Sequence, residues 1–223
     1  MPTLAEQVAG RTSIVDEVLT GSMEEGEVLS GVELLGCTLR DAQLAGATLA
    51  GVRLEGCSLE RVDLSRVRLP DAVVDGCTFT GCKALATSWS MQRAPVLAPD
   101  PSTWVECQLA MGSFGGLDLS GARFERCVLT DADFDEAVLR EAVLDDCSLA
   151  GARFVRADLR DADLRTARDY VIDVGDARVA GLRVDAVGAL GLLAPFGVVV
   201  GGGRGRLSGA RSPGGPTRPG PRR

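Results

Sequence analysis

The sequence predicts an all-β chain wound into a four-sided parallel β-helix, and three observations predict it. Between residues 109 and 164 a large apolar residue stands at every fifth position: Leu109, Phe114, Leu119, Phe124, Leu129, Phe134, Leu139, Leu144, Leu149, Phe154, Leu159 and Leu164. Two places before most of them stands a small residue, as at Cys107, Ala122, Cys127, Ala132, Ala137, Ala142, Cys147, Ala152, Ala157 and Ala162. Like residues also recur every twenty positions, at Cys37, Cys57 and Cys77, at Cys107, Cys127 and Cys147, and at Phe114, Phe134 and Phe154.

Each observation has a physical reading. An α-helix turns about 100° per residue, so a five-residue repeat rotates by about 140° and scatters the leucines over every face. Apolar positions two apart suit extended chain, in which residues i and i+2 share a side. The next gap, of three, breaks the alternation and demands a corner. One unit is therefore a short side plus a bend, with two residues in and three out. Recurrence every four units gives four sides to a turn, with turns stacked about 4.8 Å apart. The large positions from Leu29 to Leu164 number 28, about seven turns, which makes a rod about 34 Å long.

Residues 1–26 are acidic and weakly periodic, with Ile14 and Leu19 already in phase, and read as an N-terminal cap or imperfect first coil. Residues 27–168 form the coil, regular from Leu29 through Leu34, Leu39, Leu44, Leu49, Leu54, Leu59, Leu64, Leu69, Val74 and Phe79. Between Cys82 and Cys107 the repeat falters, although Trp89 and Trp104 keep the phase of the large position. Pro95, Pro99 and Pro101 cannot donate ladder hydrogen bonds, so residues 91–103 read as a loop leaving the wall between the two tryptophans. Met91 and Arg93, with Trp89 and Trp104, are its candidate contact residues. Residues 169–200 read as a C-terminal cap, because the last turn of a solenoid exposes unpaired backbone and core. Asp185 is placed to cap a helix there. Residues 201–223 are rich in Gly, Pro and Arg and read as a disordered basic tail.

The net charge is −7, but the last 23 residues hold six arginines and no acid, so residues 1–200 carry −13. Such a body repels nucleic acid and attracts a basic surface. The chain has no histidine, so Ser-His and Cys-His activation are excluded. Its paired carboxylates lie on an open convex wall, where they keep ordinary pKa values and do no acid catalysis at neutral pH. No catalytic residue is assigned and the chain reads as a non-enzyme. Six of the seven cysteines fill the small inward position, as buried hydrophobes, and no CxxC spacing suggests zinc. No metal or other cofactor is assigned. The N-terminus lacks an apolar signal core, and a reducing cytoplasm suits the cysteines. Residues 186–203 are uncharged for eighteen positions, near the lower limit for a membrane span. Glycines and Pro195 make that stretch a packed cap rather than a span.

Units such as Ala132-Asp133-Phe134, Ala157-Asp158-Leu159 and Ala162-Asp163-Leu164 resemble the A(D/N)Lxx signature of pentapeptide-repeat proteins. The resemblance covers roughly residues 27–200 and implies a right-handed quadrilateral β-helix. Cys82-Lys83-Ala84-Leu85-Ala86-Thr87-Ser88-Trp89 resembles the corresponding stretch of albicidin-immunity members. Asp169-Tyr170-Val171-Ile172-Asp173, with the apolar segment after it, is similar to the ending of the gyrase-directed, quinolone-resistance branch. A departure is Val184-Asp185-Ala186-Val187, where those relatives start a helix with an SxPE-like sequence. The resemblance implies a helix and a final strand over the last coil, and a homodimer through Leu190, Leu192, Leu193 and Phe196.

What an acidic wall does is bind. Residues 131–146 hold seven acids and one arginine. The candidate partner surface is Asp118, Asp131, Asp133, Asp135, Glu136, Glu141, Asp145, Asp146, Asp158, Asp161 and Asp163. Two rods joined end to end span about 70 Å, roughly two turns of duplex DNA. The resulting expectation is a cytoplasmic DNA mimic that binds DNA gyrase, with topoisomerase IV as a second target, and protects it from quinolones or a gyrase poison such as albicidin, including in self-immunity. No direct nucleic-acid binding by the body and no membrane contact are expected. The alternative is a non-catalytic scaffold of the same fold with an unrelated partner; a membrane-associated scaffold using residues 186–203 is the third.

Overall fold

A computed structural model describes residues 3–94 and 99–199. The chain coils as a parallel β-solenoid whose pairing runs from Ser13 to Arg183. Registers of twenty hold almost throughout: Leu34 lies beside Leu54, Leu39 beside Leu59, and Leu29 beside Leu49. Two backbone bonds per side sustain this. The large residue donates up to the next turn, as Leu44 N–H does to Asp63 O at 2.8 Å, and the residue before it donates down, as Asp63 N–H does to Ala42 O at 2.9 Å.

The four walls are named here by the large residues that point in from them. The first holds Ile14, Leu34, Leu54 and Val74, then Leu119, Leu139 and Leu159. The second holds Leu19, Leu39, Leu59, Phe79, Trp104, Phe124, Leu144 and Leu164. The third holds Leu44, Leu64, Leu109, Leu129 and Leu149. The fourth holds Leu29, Leu49, Leu69, Trp89, Phe114, Phe134 and Phe154. Nearly all of these side chains are buried, Val74 only partly, as are the small residues two places before them. Full burial of such a side chain is worth about 1.5–3 kcal/mol, repeated at every unit.

The aromatic residues sort into two facing columns. In the second wall Phe79, Trp104 and Phe124 stack with centroids 5.3 and 4.5 Å apart. In the fourth wall Trp89, Phe114, Phe134 and Phe154 stack at 5.8, 5.0 and 5.3 Å. Edge-to-face contacts at 5.6–6.4 Å join the columns across the interior. The cysteines also form two columns rather than one. Cys37, Cys57 and Cys77 stand at the small position of the second wall; Cys82, Cys107, Cys127 and Cys147 stand at that of the third. All seven are free and buried. Their thiols donate to backbone carbonyls, Cys57 to Leu34 O at 3.1 Å and Cys82 to Leu59 O at 3.2 Å. Burial pushes the Cys37 thiol above its ordinary value.

Corners impose a second constraint, which the two-in, three-out reading does not contain. The residue two places after nearly every large residue has positive φ: Gly31, Gly36, Gly46 and Gly51, but also Asp41 at 53°, Arg61 at 52°, Asp131 at 54° and Glu141 at 57°. A non-glycine residue held there costs roughly 1–2 kcal/mol, least for Asp and Asn. The ladder on both sides holds these residues in place. Trp89 is an exception, because a 3₁₀ turn over Trp89–Met91 replaces its corner.

The ends are closed differently. At the N-terminus a helix, α1 over Leu4–Val8, turns Leu4 and Val8 inward and is started by a reciprocal capping box between Thr3 and Glu6. Leu4 N–H also bonds Ser22 O at 3.1 Å. At the other end α2, over Gly188–Leu193, is followed by a 3₁₀ turn over Ala194–Phe196. The final strand implied for this cap has no counterpart among described residues 169–199, so the cap is helical. The coil continues further into the segment than the sequence suggests, since Asp163 still pairs with Arg183.

Phe134→Ala removes one ring from a four-ring column and is expected to cost about 3–5 kcal/mol. Asp133→Ala, on the outer face next to it, is expected to cost less than about 1 kcal/mol. Chemical denaturation of the two variants checks the inward assignment, which equal losses contradict.

Candidate functional site

One turn takes twenty residues, so a run contiguous in sequence encircles the rod instead of forming a patch. The acids of residues 131–146 do so. Asp131, Glu136, Glu141 and Asp146 occupy four successive positive-φ corners, φ 54°, 62°, 57° and 51°, one at each edge of a single turn. Asp133 and Asp135 lie on the fourth wall and Asp145 on the second. Asp118 and Asp158 are outward residues of the first wall, Asp161 is at its corner, and Asp163 is on the second wall. The candidate acids therefore make a collar around the C-terminal half.

Arginines from neighbouring turns neutralise part of that collar. Asp135 pairs with Arg153 and Glu136 with Arg156. Arg165 grips both oxygens of Asp163, at 2.6 Å for the closest contact. Asp158 is the most enclosed, its side chain 6% exposed, between Arg140 at 2.8 Å, Arg160 at 2.7 Å and Arg178 at 3.8 Å. Hydrogen bonds from Arg160 hold its carboxyl well below the usual carboxylate range against the opposing effect of burial, and Arg140 adds to this. Asp118 accepts from Ser120, Asp133 from Asp135 N–H, and Asp145 from Thr166. Among the candidates, Asp131, Glu141, Asp146 and Asp161 are exposed and, among the described residues, meet no arginine within ion-pair distance.

The loop is shorter than the sequence suggests. Met91 O still accepts from Asp71 N–H, and Arg93 N–H donates to Ala72 O at 2.8 Å. Asp100 O accepts from Gly76 N–H at 3.1 Å, and Thr103 begins a paired strand. Between Arg93 and Asp100 only Ala94 and Pro99 are described, and 95–98 lie outside the described residues. One whole extra unit has entered, because Phe79 pairs with Trp104 and Lys83 with Gln108, registers of twenty-five in place of twenty. Trp89 and Trp104 are core residues, 2% and 3% exposed, rather than rims of the loop. Among the described residues their buried indole N–H groups find no hydrogen-bond partner, at a typical cost of about 1–3 kcal/mol each. Met91 and Arg93 are exposed.

At the C-terminal end α2 lies across Tyr170. A side chain at Gly188 would collide with the Tyr170 hydroxyl, and one at Gly191 with the Tyr170 carbonyl, so both glycines permit the close approach. Asp185 caps the helix, accepting from Gly188 N–H at 2.6 Å. Burial, with the nearby Asp185 charge, pushes the Tyr170 phenol up to about 12. Leu192 packs against the core, while Leu190, Leu193 and Phe196 are 44%, 38% and 55% exposed. The four residues named for one interface thus divide, with Leu192 pinning the helix down. Among the described residues no helix is long and apolar enough to cross a membrane. The tail over 201–223 lies outside the described residues.

The family model for pentapeptide repeats matches in eight copies, over residues 28–61, 49–83, 113–146 and 132–168, together just over half of the chain. The chain belongs to the pentapeptide-repeat family. No curated protein matches it. A trypsin-treated form of QnrB1, a plasmid-mediated fluoroquinolone resistance protein, is similar in fold, with TM-score 0.53 and 17% identity over 84% of this chain and 97% of that one. HetL, a pentapeptide-repeat protein involved in heterocyst differentiation regulation in the cyanobacterium Nostoc, matches with TM-score 0.46 and 20% identity over 83% of this chain and 95% of that one. At such identities the likeness speaks to the fold alone.

For a pentapeptide-repeat protein, the informative outer positions are those twenty apart. The arginine partners of the acidic collar have a signal of this kind in the sequence: Glu136 and Arg156, or Asp158 and Arg178, are one turn apart. Reading charge along the chain misses them. Pairs on an exposed wall are individually worth about 0–1 kcal/mol, but Asp158 is enclosed. Its folded pKa is depressed, so its stabilisation is present above the unfolded value near 4 and is lost as pH falls through the folded one. Asp158→Asn is expected to cost about 2 kcal/mol at pH 7, and to lose stability less steeply than the parent between about pH 4 and pH 2. Parallel acid titrations of denaturation midpoints check this, and equal slopes contradict it.

Proposed function

We propose that the pentapeptide-repeat rod binds a basic groove built for duplex DNA, that of DNA gyrase, with topoisomerase IV as a second target. On this reading it protects the enzyme from quinolones or from a gyrase-poisoning natural product of the albicidin kind. The observation that carries it is the acidic collar, with Asp131, Glu141, Asp146 and Asp161 exposed and outside the reach of the described arginines, on a body of net charge −13 over residues 1–200. The resemblance of residues 82–89 and 169–173 to gyrase-directed members supports the choice of partner. Binding is non-catalytic, by the body and not the basic tail, in the cytoplasm. The pairing of Asp135, Glu136, Asp158 and Asp163 with arginines favours a second reading, a scaffold whose partner is recognised by shape.

Neutralising Asp131, Glu141, Asp145 and Asp146 with Asn or Gln keeps shape and removes charge. In supercoiling assays with and without quinolone or albicidin, this variant is expected to protect gyrase at least tenfold less well than the parent. Equal protection defeats electrostatic mimicry, and no capture of gyrase subunits by the parent defeats the choice of partner.

The exposed apolar end over α2 supports a homodimer joined cap to cap, which lengthens the rod. Replacing Leu190, Leu193 and Phe196 together with Asp, and leaving Leu192 alone, is expected to halve the mass seen by light scattering without loss of the β-sheet signal. A dimer that persists places the interface elsewhere.

A further inference from the structure

We propose that the depression around Asp158 on the first wall binds a small phosphorylated molecule, with Arg140 and Arg178 on its phosphoryl group and Asp176 on a hydroxyl or amino donor. The proposal is independent of the partner assigned to the acidic collar. It starts from the ladder, which stacks Val138, Asp158 and Arg178 in three successive turns of this wall. Asp158 N–H bonds Ala137 O and Arg178 N–H bonds Ala157 O, both at 2.9 Å, so the backbone fixes this column. The adjoining corner carries Glu136, Arg156 and Asp176, again one turn apart. These six residues, with Arg140 and Gly175, line a depression of about 500 Å³. That volume lies within the range of small-molecule sites, about 300–1,000 Å³.

The charges of the lining do not cancel locally. Arg160, outside the lining, already forks Asp158: its Nε donates to Oδ1 at 2.8 Å and its Nη2 to Oδ2 at 2.7 Å. One guanidinium in that geometry matches the whole carboxylate. Arg140 nonetheless donates to the same Oδ2 at 2.8 Å, and Arg178 stands 3.8 Å from it. Two cations are thus surplus to a buried carboxylate, while their own side chains are 49% and 70% exposed. Like charges drawn to one oxygen repel, and a second anion between them relieves this. At the corner Arg156 pairs with Glu136, and its backbone N–H donates to Asp176 at 2.8 Å. Asp176 makes no ion pair among the described residues. Glu141 and Asp161, on the other edge of the wall, are not in the lining. Two cations on the wall and one carboxylate at the corner therefore face the same space. Guanidinium groups suit the oxygens of a phosphoryl group, and Asp176 suits a donor attached to it. The acidic body repels long polyanions, which leaves a compact ligand.

Calorimetric titration of the full chain with O-phosphoethanolamine, which joins a phosphoryl group to an ammonium, is expected to saturate at one equivalent. Inorganic sulfate, which offers Asp176 no donor, is expected to bind at least tenfold more weakly, and ethanolamine not to bind. Arg178→Gln alters an exposed side chain outside hydrogen-bond distance of Asp158, and is expected to weaken O-phosphoethanolamine at least tenfold at an unchanged melting temperature. Asp176→Asn is expected to weaken it while leaving sulfate as it was. Arg123→Gln, on the second wall, is expected to change neither. The Arg140 and Arg178 side-chain N–H signals in ¹H–¹⁵N spectra of the parent are expected to shift on saturation, which needs no variant. Absence of saturable binding, equal binding of sulfate, unmoved arginine signals, or indifference to Arg178→Gln would overturn the proposal.

Discussion

The structure depends on the backbone ladder that ties each side to its equivalent in the next turn. Every side offers hydrogen-bonding groups both up and down, and only a turn of constant length keeps them in register. The five-residue unit is the sequence form of that constraint. A large and a small residue fill the interior, and a corner residue takes positive φ so that the chain turns and pairs again. Local strain at corners such as Arg61 and Glu141 persists because the ladder on either side leaves those residues no alternative. Core packing follows from register, and the facing aromatic columns exist because Phe114, Phe134 and Phe154 are held one turn apart.

Much of this was legible in the sequence. Period five excludes helix, spacing twenty gives four sides, and Ile14 and Leu19 announce the early first coil. The corner conformation was less visible, because Gly31, Asp41 and Arg61 look like three unrelated polar residues until their φ values are compared. The insertion kept phase and hid its own size. Trp89 and Trp104 were recognisable as in-phase residues, but which turn each joined depends on a register of twenty-five in place of twenty, which a five-residue phase cannot distinguish. At the C-terminal end the apolar residues of the cap could be named, whereas the division between Leu192 and its neighbours is a matter of helix phase over Tyr170.

The site was harder to read than the fold, for a geometric reason. Sequence neighbours sit on different walls, so the acids of residues 131–146 make a collar and not a patch. Residues twenty apart are the real neighbours, and there arginine answers acid at Asp41 and Arg61, Glu106 and Arg126, and Glu136 and Arg156. Some of these pairs also bind adjacent turns together, so acidic residues serve the rod's cohesion as well as its field. The charge available to a partner is the remainder at the corners, and a straight rod presents it at spacings fixed by the ladder.

Central to this account is that recognition runs through that remaining charge. The most direct measurement is the affinity of the full chain for purified gyrase as a function of salt concentration. Exposed charges separated by more than about 8–10 Å are largely screened at 0.1–0.15 M salt, so the account predicts an affinity that falls steeply as salt is raised through this range. An affinity that does not change with salt would contradict it and leave shape as the basis of recognition.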